Sequence, residues 1–104
     1  MPVSRIVTVF RNRLMPGVQH EYAPLAAEMS RLASQMPGFV DSRYFTSADG
    51  ERVTIVTFAD RESHDAWRTL PAHQAAQRRG IEEFYMTYSI QVAEETYANE
   101  FTRG

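Results

Sequence analysis

Three side chains of this chain have chemistry to offer a small molecule: Asn12, Trp67 and His73. Trp67 is the only tryptophan, and His73 follows it across the Leu70-Pro71 break. An indole, a proline break and an imidazole one to two helical turns later make a wall for a small-molecule pocket. Imidazole titrates near neutral pH, so His73 is the best proton acceptor the chain offers. The plain alternatives are an exposed or capping His73 and a Trp67 that simply fills core, as large aromatics usually do. Asn12 lies in R-N-R-L, on a strand row with Phe10 and Leu14. An amide on a row otherwise suited to a core needs a partner. That partner is either nearby backbone or a ligand oxygen, a substrate hydroxyl or a developing oxyanion. Of the remaining histidines, His64 reads as a surface residue near Trp67, and His20 as solvent-exposed.

Other constellations are thin. Asp60, Glu62, His64 and Asp65 are close in sequence, but a helix points them in several directions and they lack a metal-ligand spacing. Glu82-Glu83 and Glu94-Glu95 read as solvated charges. There is no glycine-rich phosphate loop, no nucleophile elbow and no nicotinamide motif, and the chain is short for a flavin site. The absence of cysteine removes disulfides, thiolate ligands and a thiol nucleophile.

The elements that must hold these residues follow from periodicity. Residues 4–14 alternate as strand 1, with Ile6, Thr8, Phe10, Asn12 and Leu14 on one face and Arg5, Val7, Val9, Arg11 and Arg13 on the other. Pro16-Gly17 turns the chain into a helix that runs to about Met36, with Val18, Tyr22, Leu25, Met29, Leu32 and Met36 as its apolar stripe. Pro24 conflicts with that helix and predicts a kink or a late start. Strand 2 covers about Phe39 to Thr46, and strand 3 covers Arg52 to Phe58. Asp49-Gly50 forms the hairpin between them. Asp60 caps a second helix, Pro71 breaks it and starts another run, and Gly80 stops that run. Strand 4 runs from about Glu82 to Ala93. One row is Phe84, Met86, Tyr88, Ile90 and Val92, and the other is Tyr85, Thr87, Ser89 and Gln91.

The order β-α-β-β-α-β predicts a ferredoxin-like α+β fold, an antiparallel four-stranded sheet with the helices on one face. Strands 1, 3 and 4 carry apolar residues on both faces, and the helices cover only one. A second copy of the chain is the simplest cover, so the expectation is a homodimer with facing sheets.

At 104 residues there is room for one domain, residues 1–104, with a core of about 4–95 and a polar tail of 96–104. The formal charge is −2, and the scattered basic residues, all arginine, form no stripe, which argues against a nucleic-acid surface. No apolar run approaches the roughly 18–20 residues that a membrane helix needs. M-P-V-S-R-I-V-T-V-F has no apolar signal core, so the expected location is cytoplasmic.

M-P-G-F (36–39), D-G-E-R-V-T-I-V-T-F (49–58), A-W-R-T-L-P-A-H-Q-A-A-Q (66–77) and Y-M-T-Y-S-I-Q-V-A-E (85–94) resemble the antibiotic biosynthesis monooxygenase family over about residues 5–95. The resemblance implies a dimeric α+β barrel with a pocket between helices and sheet in each subunit. It implies one of several activities. Some members oxidise phenolic polyketides without a cofactor, others degrade haem or oxidise quinols, and many have no known role. The haem-degrading branch uses an Asn, a Trp and a His. Asn12 and Trp67 match the first two, whereas Gln77 stands where the axial histidine would be. Gln77 is a poor iron ligand, which counts against haem, though His73 lies one turn earlier, within reach of a shifted haem.

With no cofactor, a monooxygenase must draw its electrons from the substrate, here a small electron-rich aromatic such as a phenol, anthrone or quinol. Resemblance and residue chemistry together give Phe10, Phe58 and Trp67 as walls, Gln77 as a further binding residue, His73 as base and Asn12 as donor to the enolate oxygen. The rival readings are a haem-binding or haem-degrading protein and a non-catalytic ligand-binding dimer.

Overall fold

A computed structural model describes residues 3–104. The alternating segments form β1 (Ile6–Leu14), β2 (Phe39–Thr46), β3 (Arg52–Phe58) and β4 (Tyr85–Glu94), and the helices are α1 (Gln19–Ser34), α2 (Arg61–Arg68) and α3 (Pro71–Arg79). The strands make one antiparallel sheet in the order β2-β3-β1-β4, the ferredoxin-like arrangement. Register sorts the faces. Ile6, Thr8, Phe10 and Asn12 pair with Phe58, Val56, Thr54 and Arg52, so these eight side chains share the helix-bearing side. Val7, Val9, Val53 and Ile55 point to the other side, which no helix covers.

The core gathers where α1 and α2 meet the far end of β3. Ala33, Phe58 and Trp67 are buried there, with Met29, Leu32, Met36, Phe39, Val56 and Leu70 packed around them. Asp60 caps α2 by accepting the Ser63 amide at 2.7 Å. Pro71 opens α3 at its first turn, where a missing amide proton costs nothing. The helix α1 starts at Gln19 and continues through Pro24 instead of starting late. Pro24 and His20 are both exposed, so the His20 carbonyl that the missing amide leaves free is open to solvent.

Two expectations change at the start of β4. Gly80 does not stop α3. Its φ of −59° and ψ of −46° are helical, and the chain runs on into a single π turn, Gly80–Phe84. That wider turn delays β4 to Tyr85 and buries Phe84. The register then slips by one residue, so that Leu14 faces Tyr85 and Arg13 faces Thr87, with Met86 the extra residue. The bulge moves Tyr85 off the row of Thr87, Ser89 and Gln91 and onto the helix side, where its ring meets Phe10 and Tyr22.

Gly80 is required by this crossing, since a Cβ on it would lie 2.3 Å from the Tyr85 ring. That ring is wedged among Phe10, Tyr22 and Tyr88 and cannot swing clear freely. Gly80→Ala is therefore expected to destabilise by about 1–3 kcal/mol, although alanine is the better helix former. Urea unfolding measures it, and a gain in stability would show the ring to be loosely held.

Among the described residues, no helix is long and apolar enough to cross a membrane.

Candidate active site

A cavity of about 600 Å³ opens between α1, the α2–α3 corner and the helix side of the sheet. Its space comes from α1. Ala23, Ala26, Ser30 and Ala33 recur at steps of three and four and border the cavity, so one strip of the helix offers only small side chains to the sheet. The strip was legible in the sequence but is masked there by the larger stripe beside it.

Trp67 and His73 stand together on the wall. Their rings stack with centroids 4.2 Å apart and planes 16° from parallel. The Leu70-Pro71 break makes this possible, because it turns α3 back so that the imidazole lies flat on the indole. His73 Nδ1 is 3.2 Å from the Trp67 carbonyl oxygen. A carbonyl only accepts, so Nδ1 carries the proton and donates, and Nε2 keeps its lone pair.

Burial is the largest influence on His73 and pulls its pKa below the ordinary 6.5, outweighing the hydrogen bonds to the Trp67 and Arg68 backbone that raise it. At neutral pH the ring is uncharged and able to accept a proton. The folded value lies below the unfolded one, so this group's contribution to stability is complete above about pH 6.5. It is lost as the pH falls from there through the folded value. Proton NMR should place the titration midpoint of His73 below the ordinary 6.5, and a midpoint above 6.5 would mean that an anion faces the ring.

The other expected residues divide. Phe10 and Gln77 border the cavity. Phe58 does not. It is fully buried and backs Trp67 at a centroid distance of 6.5 Å, because its strand row ends under α2. Its place is behind the wall, which corrects the expectation of substrate contact.

Asn12 is 1 % exposed and also lies behind the wall, and neither its Oδ1 nor its Nδ2 has a protein partner. The backbone hydrogen bond that would make this amide purely structural is absent. His64, expected on the surface, is buried with its ring against Phe58 and Nδ1 3.1 Å from Asp65 Oδ1. Three steps along α2 from Trp67, it shares that helix's inward face.

The sequence reading passed over Tyr22, Tyr44, Arg52 and Tyr85, all of which line the cavity. The hydroxyls of Tyr22 and Tyr85 are 3.4 Å apart. Burial, and then that contact, push the Tyr85 phenol far above its usual range, so it stays protonated. Among the described residues no three His, Asp or Glu side chains converge in a way that could hold a metal ion.

Fold and site together define a ferredoxin-like α+β protein whose aromatic cavity holds one uncharged imidazole. The chain belongs to the antibiotic biosynthesis monooxygenase family, whose profile matches residues 5–79. It is 32 % identical over 72 residues to the uncharacterized protein YqjZ of Bacillus subtilis, a match spanning 69 % of this chain and 63 % of that relative's length. The fold is similar to that of SnoaB, a cofactor-independent oxygenase from Streptomyces nogalater. The TM-score there is 0.73 at 16 % identity, covering 96 % of this chain and 97 % of that one. It is also similar to Rv0793 from Mycobacterium tuberculosis, with a TM-score of 0.80 at 19 % identity over 95 % of this chain and all of the other (100 %).

Proposed function

We propose that this protein is a cytoplasmic, homodimeric, cofactor-independent monooxygenase that oxidises an electron-rich aromatic with O₂. The observation that carries the reading is the stacked Trp67–His73 pair on the cavity wall, with the imidazole neutral and Nε2 free. His73 takes a proton from the activated carbon or phenol of the substrate, leaving an electron-rich anion. Aromatic and aliphatic walls, Phe10, Val56 and Trp67, keep water from that anion. Asn12, buried behind that wall with its amide unpartnered by protein, is the donor assigned to the anion's oxygen. The anion reduces O₂ directly. For an anthrone, one oxygen atom becomes the new carbonyl and the other leaves as water with the two hydrogens of the oxidised carbon. His73 returns its proton to that water. Gln77 holds the substrate from the α3 side.

Support for the dimer is the uncovered side of the sheet, where Val7, Val9, Val53 and Ile55 lie together beside a 55 % exposed Phe45. Sedimentation should give twice the chain mass. Oxygen uptake with a model anthrone or quinol tests the chemistry. His73→Ala is expected to lower it by about 10²–10⁴-fold while the dimer stays folded. A folded dimer that consumes no oxygen with any such substrate would sink the oxygenase reading and favour a binding protein of the same fold.

The free Nε2 also favours a second reading, in which the same nitrogen binds haem iron. A Soret shift on adding haemin, lost in His73→Ala, would mark that outcome.

A further inference from the structure

The cavity wall carries one side chain that is charged at neutral pH, Arg52, and no carboxylate. Elsewhere most of the arginines are matched. Arg11, Arg13, Arg31, Arg43, Arg61, Arg68 and Arg79 each lie within 4.0 Å of an aspartate or glutamate oxygen. Among the described arginines without such a partner, Arg5, Arg78 and Arg103 are exposed and reach water freely, whereas Arg52 is half-buried. Its guanidinium carbon sits 5.2 Å from the centroid of the Tyr22 ring and 5.5 Å from that of Tyr44. Two ring faces hold the group in place and leave its charge uncancelled. A guanidinium presents donors in a planar fork that fits a carboxylate. Directly across the β1–β3 ladder on the same side is Asn12, whose buried amide is itself without a partner.

We infer that Arg52 is the anion-recognition residue of this cavity, and that the natural ligand is a flat aromatic bearing a carboxylate. The inference rests on the proposed pocket for its location but not on turnover. Position along the strand sets the ligand's shape. Arg52, Thr54 and Val56 line the cavity in sequence, and Val56 packs into the Trp67 cluster. Arg52 and Val56 are four residues apart, about 13 Å of extended strand. The carboxylate therefore lies at the opposite end of the ligand from the ring beside Trp67 and His73. Three fused rings with a carboxylate, met by the inward reach of the Arg52 side chain, fill that distance, and a single small ring does not. The predominantly apolar middle, Phe10, Ala26 and Thr54, carries no charge to compete for the anion.

Trp67 is the only tryptophan and lies on the wall, so its emission reports binding without any reaction. The probes are anthracene carboxylate and anthracene carboxamide, titrated at pH 7.5 into wild type, Arg52→Gln and Arg52→Lys, with near-ultraviolet circular dichroism as the check on folding. Wild type is expected to bind the carboxylate about tenfold or more tighter than the amide. Arg52→Gln should erase that preference by weakening the carboxylate alone, and Arg52→Lys should keep part of it. Haemin, which also carries carboxylates, is a separate arm. Binding that falls in both Arg52→Gln and His73→Ala, and is weaker for the dimethyl ester, would identify haem as the carboxylate's source and still support Arg52. Equal affinity of wild type for the two anthracenes, no binding of either, or an Arg52→Gln variant that keeps the preference would overturn the inference. Failure of oxygen uptake alone leaves it standing, because these titrations need no turnover.

Discussion

Asn12→Leu should make the protein more stable and less active. The amide is buried with both polar atoms unpartnered by protein. Leaving a buried donor or acceptor unpaired costs about 1–3 kcal/mol each, and leucine keeps the branching at Cγ without either polar atom. Its larger bulk offsets part of the gain through crowding. The expected net is a rise of about 1–2 kcal/mol in urea unfolding, together with an oxygen uptake reduced by about 10²-fold or more if the amide serves the substrate oxygen. A buried amide left unpaired is what a functional site held at a cost to folding looks like. A clear loss of stability with uptake unchanged would show that Asn12 holds the sheet and does no chemistry.

Trp67→Ala is expected to bring the chain close to unfolding. The indole is 7 % exposed and joins Ala33 and Phe58 at the centre of the core. Truncating such a side chain costs about 3–5 kcal/mol, a large part of the roughly 5–15 kcal/mol that holds a domain together. Loss of activity in that variant would therefore say nothing about the pocket. Trp67→Phe separates the two duties. It keeps an aromatic in the core but shrinks the plate on which the His73 ring lies at 4.2 Å. Stability should fall modestly, whereas turnover should fall by about a hundredfold as the imidazole loses its set position. If the alanine variant unfolds within about 1 kcal/mol of wild type, the indole is not the core residue its burial suggests.

Much of the fold could be read in advance because local rules and global packing agree. The alternation in β1 and β3, the Asp49-Gly50 hairpin, the Asp60 cap and the Pro71 restart are each dictated within a few residues, and the structure uses all of them. The start of β4 was not legible. Gly80 continues helical, and Met86 bulges, because Tyr85 must fit between Gly80 and Tyr22, a demand made in part by a residue 63 positions away.

The site divides along similar lines. Trp67 and His73 are set by one helix break, and the sequence displays that break. Asn12 and Phe58 share the helix side of the sheet as alternation requires, yet both are hidden behind the wall, and depth within a face leaves no periodic trace. Arg52 did leave one. It occupies the same strand row as Thr54, Val56 and Phe58, and a charge in that row is as anomalous as the amide at position 12.

The run of alanines and a serine along α1 has an evolutionary corollary. Because the hollow is defined by what one helix lacks, its capacity can be retuned by exchanging single residues there. The base, the indole and the guanidinium all sit on other elements and would stay where they are. A lineage could thus change which polycycle it accepts, ring by ring, through α1 alone, without redesigning the machinery that acts on it.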